Sequence, residues 1–278
     1  MSILCLFSLC LKENFLAAPK DNEAIAPFFF SIFSPSEWYA IPSSPEWYKF
    51  NKQELYVSCV SFSINDFKQG DLALNIKGEN SYEKYKVDLS LSNQKVKSIA
   101  ATGNIDFSTT RPQIDLGVFL EGFQLEAFSP LGQDVLSKLR GKASGSFTLK
   151  GALGNPSMDG LLFLENAGLK FPYLDVDYDI EGVNTIRLKE QSFYLNNITL
   201  KDTKHKSRGI LKGTITHNNF KLWSLNLSID TDNLLVLNTK ETDESLYYGT
   251  GFLKGNARIY GLTDRLFIDV VGSTQPNT

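Results

Sequence analysis

Three carboxylates, Asp175, Asp177 and Asp179, recur at every second position of the run LDVDYDI. Side chains two residues apart share one face of a strand. Three in a row could supply oxygen ligands to calcium or an acid–base pair. Leu174, Val176, Tyr178 and Ile180 alternate with them, so the simpler reading is the wet side of an amphipathic strand. The two histidines, His205 and His217, sit in the polar stretches Lys204-His205-Lys206 and His217-Asn218-Asn219. Both read as loop residues rather than catalytic or metal-binding ones. Cys5, Cys10 and Cys59 form no CxxC pair, and an odd count argues against a disulfide framework. No His/Cys/Asp cluster has metal-ligand spacing. Neither a Gly-x-Ser-x-Gly elbow nor a phosphate-cradling glycine loop at a helix start is present. The expectation is no enzyme: no catalytic residue, no metal and no cofactor.

Composition narrows the remaining classes. The chain has 278 residues, is 42% hydrophobic and carries a net charge of −3, enough apolar material for a sizeable core. Lys and Arg are scattered, so the electrostatic footprint of a nucleic-acid binder is missing. The apolar run at residues 2–11 has about half the roughly 20 residues that a spanning helix needs. No Lys or Arg precedes it and no clear cleavage site follows, so any membrane anchor is expected to lie outside this sequence.

Two regions follow from patterning. Residues 1–50 are punctuated by Pro19, Pro27, Pro35, Pro42 and Pro45, which remove ladder donors and favour irregular backbone. One short strand at most is expected there. Residues 51–278 alternate apolar and polar. Leu72, Leu74 and Ile76 share one face; so do Val87, Leu89 and Leu91, Ile105 and Phe107, and Ile114, Leu116 and Val118. The same pattern continues in Phe147 and Leu149, in Val176, Tyr178 and Ile180, and in Leu225, Leu227 and Ile229. Period-two alternation means strands with one greasy and one wet face. Turn signals at Gly70, 78–80, 93–94, 154–156, 218–219 and Gly261 space the runs as antiparallel hairpins. One short helix is expected near 130–140, between two halves of the β region. Ser129-Pro130 opens it, Leu131, Val135 and Leu139 form its stripe, and Gly141 closes it.

A one-sided sheet must bury its apolar face, and a sandwich and a curled trough satisfy that equally well. Three features favour the trough. Only one helix is available to cover the sheet. Glycines recur in units such as Gly145-Ser-Phe147-Thr-Leu149-Lys-Gly151 and Gly255-Asn-Ala257-Arg-Ile259-Tyr-Gly261, with Gly103-Asn-Ile105-Asp-Phe107 less complete. Glycine inside a strand marks bends or bulges. The units also repeat loosely along the chain, as in quasi-one-dimensional folds. The alternative is a structural or adhesive β-sandwich with a closed core.

The stretch 128–172, FSPLGQDVLSKLRGKASGSFTLKGALGNPSMDGLLFLENAGLKFP, resembles a recurring passage of the TamB/AsmA-like family, the translocation and assembly module family. The likeness continues through GILKGTITHNNFKLWSLNLSID and LYYGTGFLKGNARIYG, covering about residues 98–278 and its C-terminal portion. The resemblance implies an all-β fold, a long curved antiparallel sheet forming a U-shaped hydrophobic groove, or β-taco. It implies phospholipid as cargo, transport between inner and outer membranes, and support of outer-membrane protein assembly. The partner it implies is an outer-membrane assembly-superfamily barrel protein. The expected location is the bacterial cell envelope, in the periplasm, with an inner-membrane anchor in the full-length protein. The apolar positions named above become the expected lipid-groove lining, and the chain is expected to be a fragment.

Overall fold

The computed structural model describes residues 48–51, 54–64, 67–78, 83–93, 96–126, 137–218, 222–241 and 248–274. Among the described residues the structure is almost all-β, a long antiparallel sheet with almost no helix. Its strands are β1 (Tyr48–Asn51), β2 (Glu54–Ile64), β3 (Phe67–Gly78), β4 (Lys84–Asn93) and β5 (Val96–Asp106). Next come β6 (Gln113–Gln124), β7 (Ser137–Ala152), β8 (Ser157–Phe171), β9 (Val176–Ile180) and β10 (Asn184–Glu190). The last are β11 (Ser192–Asp202), β12 (Arg208–Asn218), β13 (Leu222–Thr239), β14 (Gly249–Leu262) and β15 (Arg265–Thr274).

Two compact units divide the chain: Met1–Phe123 with Ser146–Ser157, and Gln124–Gly145 with Met158–Thr278. In the first, β1 to β6 pair in sequence order. β4 shows how alternation becomes burial, since Tyr85, Val87, Leu89 and Leu91 are buried while Lys84, Lys86 and Asp88 are exposed. In the second unit the order is β8-β10-β11-β12-β13-β14-β15, with β9 beside β8 and β11. β9 lies opposite residues 168–171 of β8, and β10 opposite residues 158–164. They are two pieces of one strand, broken at Glu181-Gly182-Val183.

The break belongs to a line of irregularities. Asn166 on β8 and Asn197 on β11 both take φ 49°, and Gly182 takes φ 77°. Register also slips on β11 between Leu195 and Ile198. Bulges of this kind bend strands and tighten twist. The glycine units read from sequence serve the same end: Gly103, Gly145, Gly151, Gly255 and Gly261 all have positive φ, between 107° and 155°.

Gly213 shows why glycine is required. Its φ is 137°, and an added Cβ would fall on the Asn226 carbonyl oxygen and 2.9 Å from Leu227 Cα. Gly213→Ala is expected to cost at least about 2 kcal/mol, through strained backbone and strand separation. Gly182→Ala, where a Cβ meets open space, should cost only about 1 kcal/mol for its positive φ. Equal losses in urea denaturation would contradict this.

Several sequence expectations change. The helix near 130–140 is not supported at its C-terminal end, because Ser137–Arg140 open the sixteen-residue strand β7; residues 127–136 lie outside the described residues. A three-turn helix with one apolar stripe is marginal alone, and a long ladder outweighs it. Gly141 keeps a positive φ, 98°, but inside a strand rather than at a helix end. Gly70 and Gly261, expected in turns, lie within β3 and β14. Leu174 leaves the strand pattern and ends a 3-10 turn, Pro172–Leu174, with Asp175 left-handed after it at φ 49°. At the N-terminal boundary a strand already starts at Tyr48; residues 1–47 lie outside the described residues.

Candidate functional site

Strand register turns separate apolar patterns into rows. In the first unit, Leu72 lies opposite Leu91, Leu91 opposite Ile99, and Ile99 opposite Leu120. The next row runs Leu74, Leu89, Ala101, Val118, and the one after it Ile76, Val87, Gly103, Leu116. Ile105 and Ile114 oppose each other beside them. Directly opposed side chains on one face are in contact range, so no charge interrupts these rows. The other face carries rows such as Lys77, Lys86, Asn104, Asp115.

The second unit repeats the arrangement. One row is Gly160, Leu188, Phe193, Ile215, Leu225, Gly261, Leu266. A second is Leu162, Ile186, Leu195, Gly213, Leu227, Ile259, Ile268. A third joins Ile198, Leu211, Ile229, Ala257 and Val270.

Burial of the expected lining residues is graded. In β3 to β6, Leu72, Leu74, Ile76, Val87, Leu89, Leu91, Ile105, Ile114, Leu116 and Val118 are 0–3% exposed. Leu149, Val176 and Tyr178 are as deeply buried, whereas Phe147, Ile180 and Phe107 are half-buried. Phe107 follows the end of β5 and meets the Tyr85 ring edge-on at 5.8 Å. Leu225, Leu227 and Ile229 are 6–8% exposed, and on β15 the same rows reach 51% at Ile268 and 57% at Val270.

The aspartates are held by cations. Arg140, at the start of β7, reaches Asp177 Oδ1 at 2.8 Å and Asp179 Oδ1 at 2.6 Å, and donates to the Tyr178 carbonyl at 2.9 Å. Its guanidinium lies over Gly168, where a Cβ would collide with it. Asp175 pairs with Lys170, apart from the other two. The three carboxylates therefore do not converge. Nearby, Glu181 accepts two hydrogen bonds from Arg208, at 2.9 and 3.0 Å, and one contact from Lys201 at 3.0 Å. These cations hold its carboxyl down at about 2. No His/Cys/Asp/Glu group among the described residues has the geometry to hold a metal.

Sequence reading missed Asp202. Its carboxylate is fully buried and accepts from the backbone N–H groups of Lys204 (3.0 Å), His205 (2.6 Å) and Ser207 (2.6 Å), and from the Ser207 hydroxyl. Burial raises its pKa and these donors lower it further, for a net depression. The Ser207 oxygen accepts from Leu235 N–H at 2.8 Å, and the Tyr178 hydroxyl donates to the Leu235 carbonyl at 2.6 Å. The only linear signal was Asp-x-x-x-x-Ser across a charged turn.

His205 is exposed in that turn, as expected. His217 is not a loop residue. It lies in β12, 2% exposed, with its ring 5.8 Å from Phe193 and 5.0 Å from Trp223. It pairs with Trp223 near the strand end, and the Asn218-Asn219 that follow made it look like turn sequence. Burial pushes its pKa down to about 4. The folded state therefore refuses a proton that the unfolded chain accepts below about 6.5. Stability should fall as pH drops from 6.5 toward 4, by on the order of 2 to 3 kcal/mol. His217→Gln should flatten that slope in pH-dependent denaturation; an unchanged slope would show that another group sets it.

No described helix is long and apolar enough to cross a membrane. Neither a curated protein nor a solved structure matches the chain. Residues 196–275, comprising most of β11 and all of β12 to β15, match the family model for the TamB C-terminal domain. That match falls inside the stretch whose sequence shows the same likeness, and over those residues the chain is TamB-like.

Proposed function

We propose that this chain is part of a TamB-like envelope protein whose apolar rows carry phospholipid acyl chains, in support of outer-membrane biogenesis. The observation that carries the reading is register: apolar residues oppose apolar residues from strand to strand, with no charge in the lane. Each methylene moved from water into such a lining gains about 0.8 kcal/mol. A uniform lining gives no single deep well, so a chain slides rather than lodges. The work is physical and needs no catalytic residue. In this reading the full-length protein is periplasmic and anchored at the inner membrane, and its partner is an outer-membrane assembly-superfamily barrel.

One observation favours a second reading for the first unit. Apart from Gly103 and Leu120, its row residues are 0–3% exposed, packed as in a closed core, and a guest would enter only by parting them. In that reading the first unit is structural, and the lipid path is confined to the second, where the rows open.

A photoreactive residue at Leu89 or Leu227, activated in cells or with phospholipid vesicles, separates these. Lipid adducts at both sites support a path through both units. Adducts at Leu227 alone limit the path to the second. Adducts to protein but never to phospholipid at either site would remove the transport reading.

A further inference from the structure

We propose that a polar latch centred on Leu235 shuts one arm of the second unit's apolar interior, so that an acyl chain reaches only the other arm. The inference rests on the lipid-path reading and says where that path stops. The break at Gly182, the left-handed Asn197 and the register slip after Thr231 divide the strands of this unit into two arms. One carries Leu225, Leu227 and Ile229. The other carries β9, the end of β11 and β13 from Leu234 onward.

In the ladder, β11 and β12 separate β9 from β13. Three strand steps of about 4.8 Å would set β9 and β13 roughly 14 Å apart in a flat sheet, beyond the reach of one side chain. The Tyr178 hydroxyl on β9 nevertheless donates to the Leu235 carbonyl on β13 at 2.6 Å. The sheet therefore folds over at this level, and the bond spans its interior. The Leu235 N–H is held too, by the Ser207 oxygen at 2.8 Å, and the Ser207 hydroxyl donates to Asp202. Register slips flank the held residues, between Thr231 and Leu234 and between Leu235 and Leu237. Both polar backbone groups of Leu235 thus bond to side chains.

Burial and polarity mark the same arm as closed. Val176, Tyr178, Leu200, Leu234 and Leu235 are 0–2% exposed, whereas Leu211, Leu225, Leu227 and Ile229 are 6–8% exposed. Asp202 lies opposite Tyr178 in the ladder and is fully buried. The row that would extend the lane therefore ends in a carboxylate. A methylene gains by leaving water for apolar surroundings, and beside Asp202 and Ser207 it would also have to break buried hydrogen bonds. The lane runs along the Leu225 to Ile229 rows and stops at the latch.

A diazirine-bearing leucine analogue, placed at Leu200 or Leu227 of the full chain, tests this with phosphatidylethanolamine–phosphatidylglycerol vesicles. Leu227 should give phospholipid adducts, and Leu200 adducts within the protein. Tyr178→Phe removes only the hydroxyl, and should raise lipid adducts at Leu200 about threefold to tenfold, the effect of one buried hydrogen bond. Without lipid, it should speed amide exchange at Leu235 by a similar factor and leave Leu227 unchanged. Equal lipid labelling of Leu200 and Leu227 in the unsubstituted chain would overturn the proposal, and it decides the matter if Tyr178→Phe fails to fold. So would Leu200 labelling or Leu235 exchange that Tyr178→Phe does not raise. Absence of lipid at Leu227 would instead remove the transport reading, and lipid-free exchange would then judge the closed arm by itself.

Discussion

Leu89→Asp is expected to unfold the first compact unit. Leu89 is 1% exposed, between Leu74 on β3 and Ala101 on β5 in an apolar row. Truncating such a leucine to alanine costs about 2–5 kcal/mol through lost transfer energy and cavity formation. A carboxylate there adds desolvation with no cation in the row, bringing the loss to roughly 5 kcal/mol or more. Domains have only about 5–15 kcal/mol to lose. Hydrogen exchange should show β3 to β6 amides losing protection together. Phe119→Asp is the control, because Phe119 is 48% exposed on the wet face of the neighbouring β6; it should shift stability by less than about 1 kcal/mol. If Leu89→Asp left protection intact, the row would be a wet or adaptable channel, and the closed-core reading of this unit would fail.

Asp202→Ala should be the most damaging single change in the second unit. It removes the acceptor for three backbone N–H groups and the Ser207 hydroxyl. The two Ser207 donors are buried and those of Lys204 and His205 part-buried; each buried donor left unpaired costs about 1–3 kcal/mol, so about 3–5 kcal/mol is expected after partial relaxation. Loss should spread to β13, because Ser207 also receives Leu235 N–H. The acid dependence has a definite sign. Asp202 titrates below the ordinary aspartate value when folded, so its contribution is present above about pH 4 and fades as pH falls through the folded value. Urea midpoints of wild type and Asp202→Asn should converge at low pH. A gap that persisted into strong acid would mean that the hydrogen-bond network acts without the charge.

Much of the fold was legible because alternation is a local signal. Tyr85, Val87, Leu89 and Leu91 could be assigned to one face from spacing alone, since backbone geometry makes that face unavoidable once the strand forms. The in-strand glycines were readable for a similar reason. Gly103, Gly145 and Gly255 interrupt apolar runs where a turn would waste the pattern, and only glycine accepts the resulting backbone freely. The family likeness was legible in GILKGTITHNNFKLWSLNLSID and LYYGTGFLKGNARIYG, both of which fall inside the matched residues 196–275.

The failures share one cause, long-range competition. The 137–140 segment has a helical stripe, and only a ladder distant in sequence makes strand the better state. Arg140 meets its acids across 37 and 39 residues of chain, and nothing local links Arg140 to Asp177 or Asp179. His217 looked like turn sequence because Asn218 and Asn219 follow it. Its burial depends on Phe193 and Trp223, supplied by neighbouring strands.

Linear order was enough to show that most strands form, which side of each is apolar and that glycines such as Gly103, Gly145 and Gly255 sit inside them, because these follow from period-two geometry and glycine chemistry. Tertiary structure alone decided which apolar residue opposes which, how deeply each row is covered, and that Asp202 is a buried anchor. Register is a property of pairs of strands, and a one-residue slip would turn every greasy side chain into water.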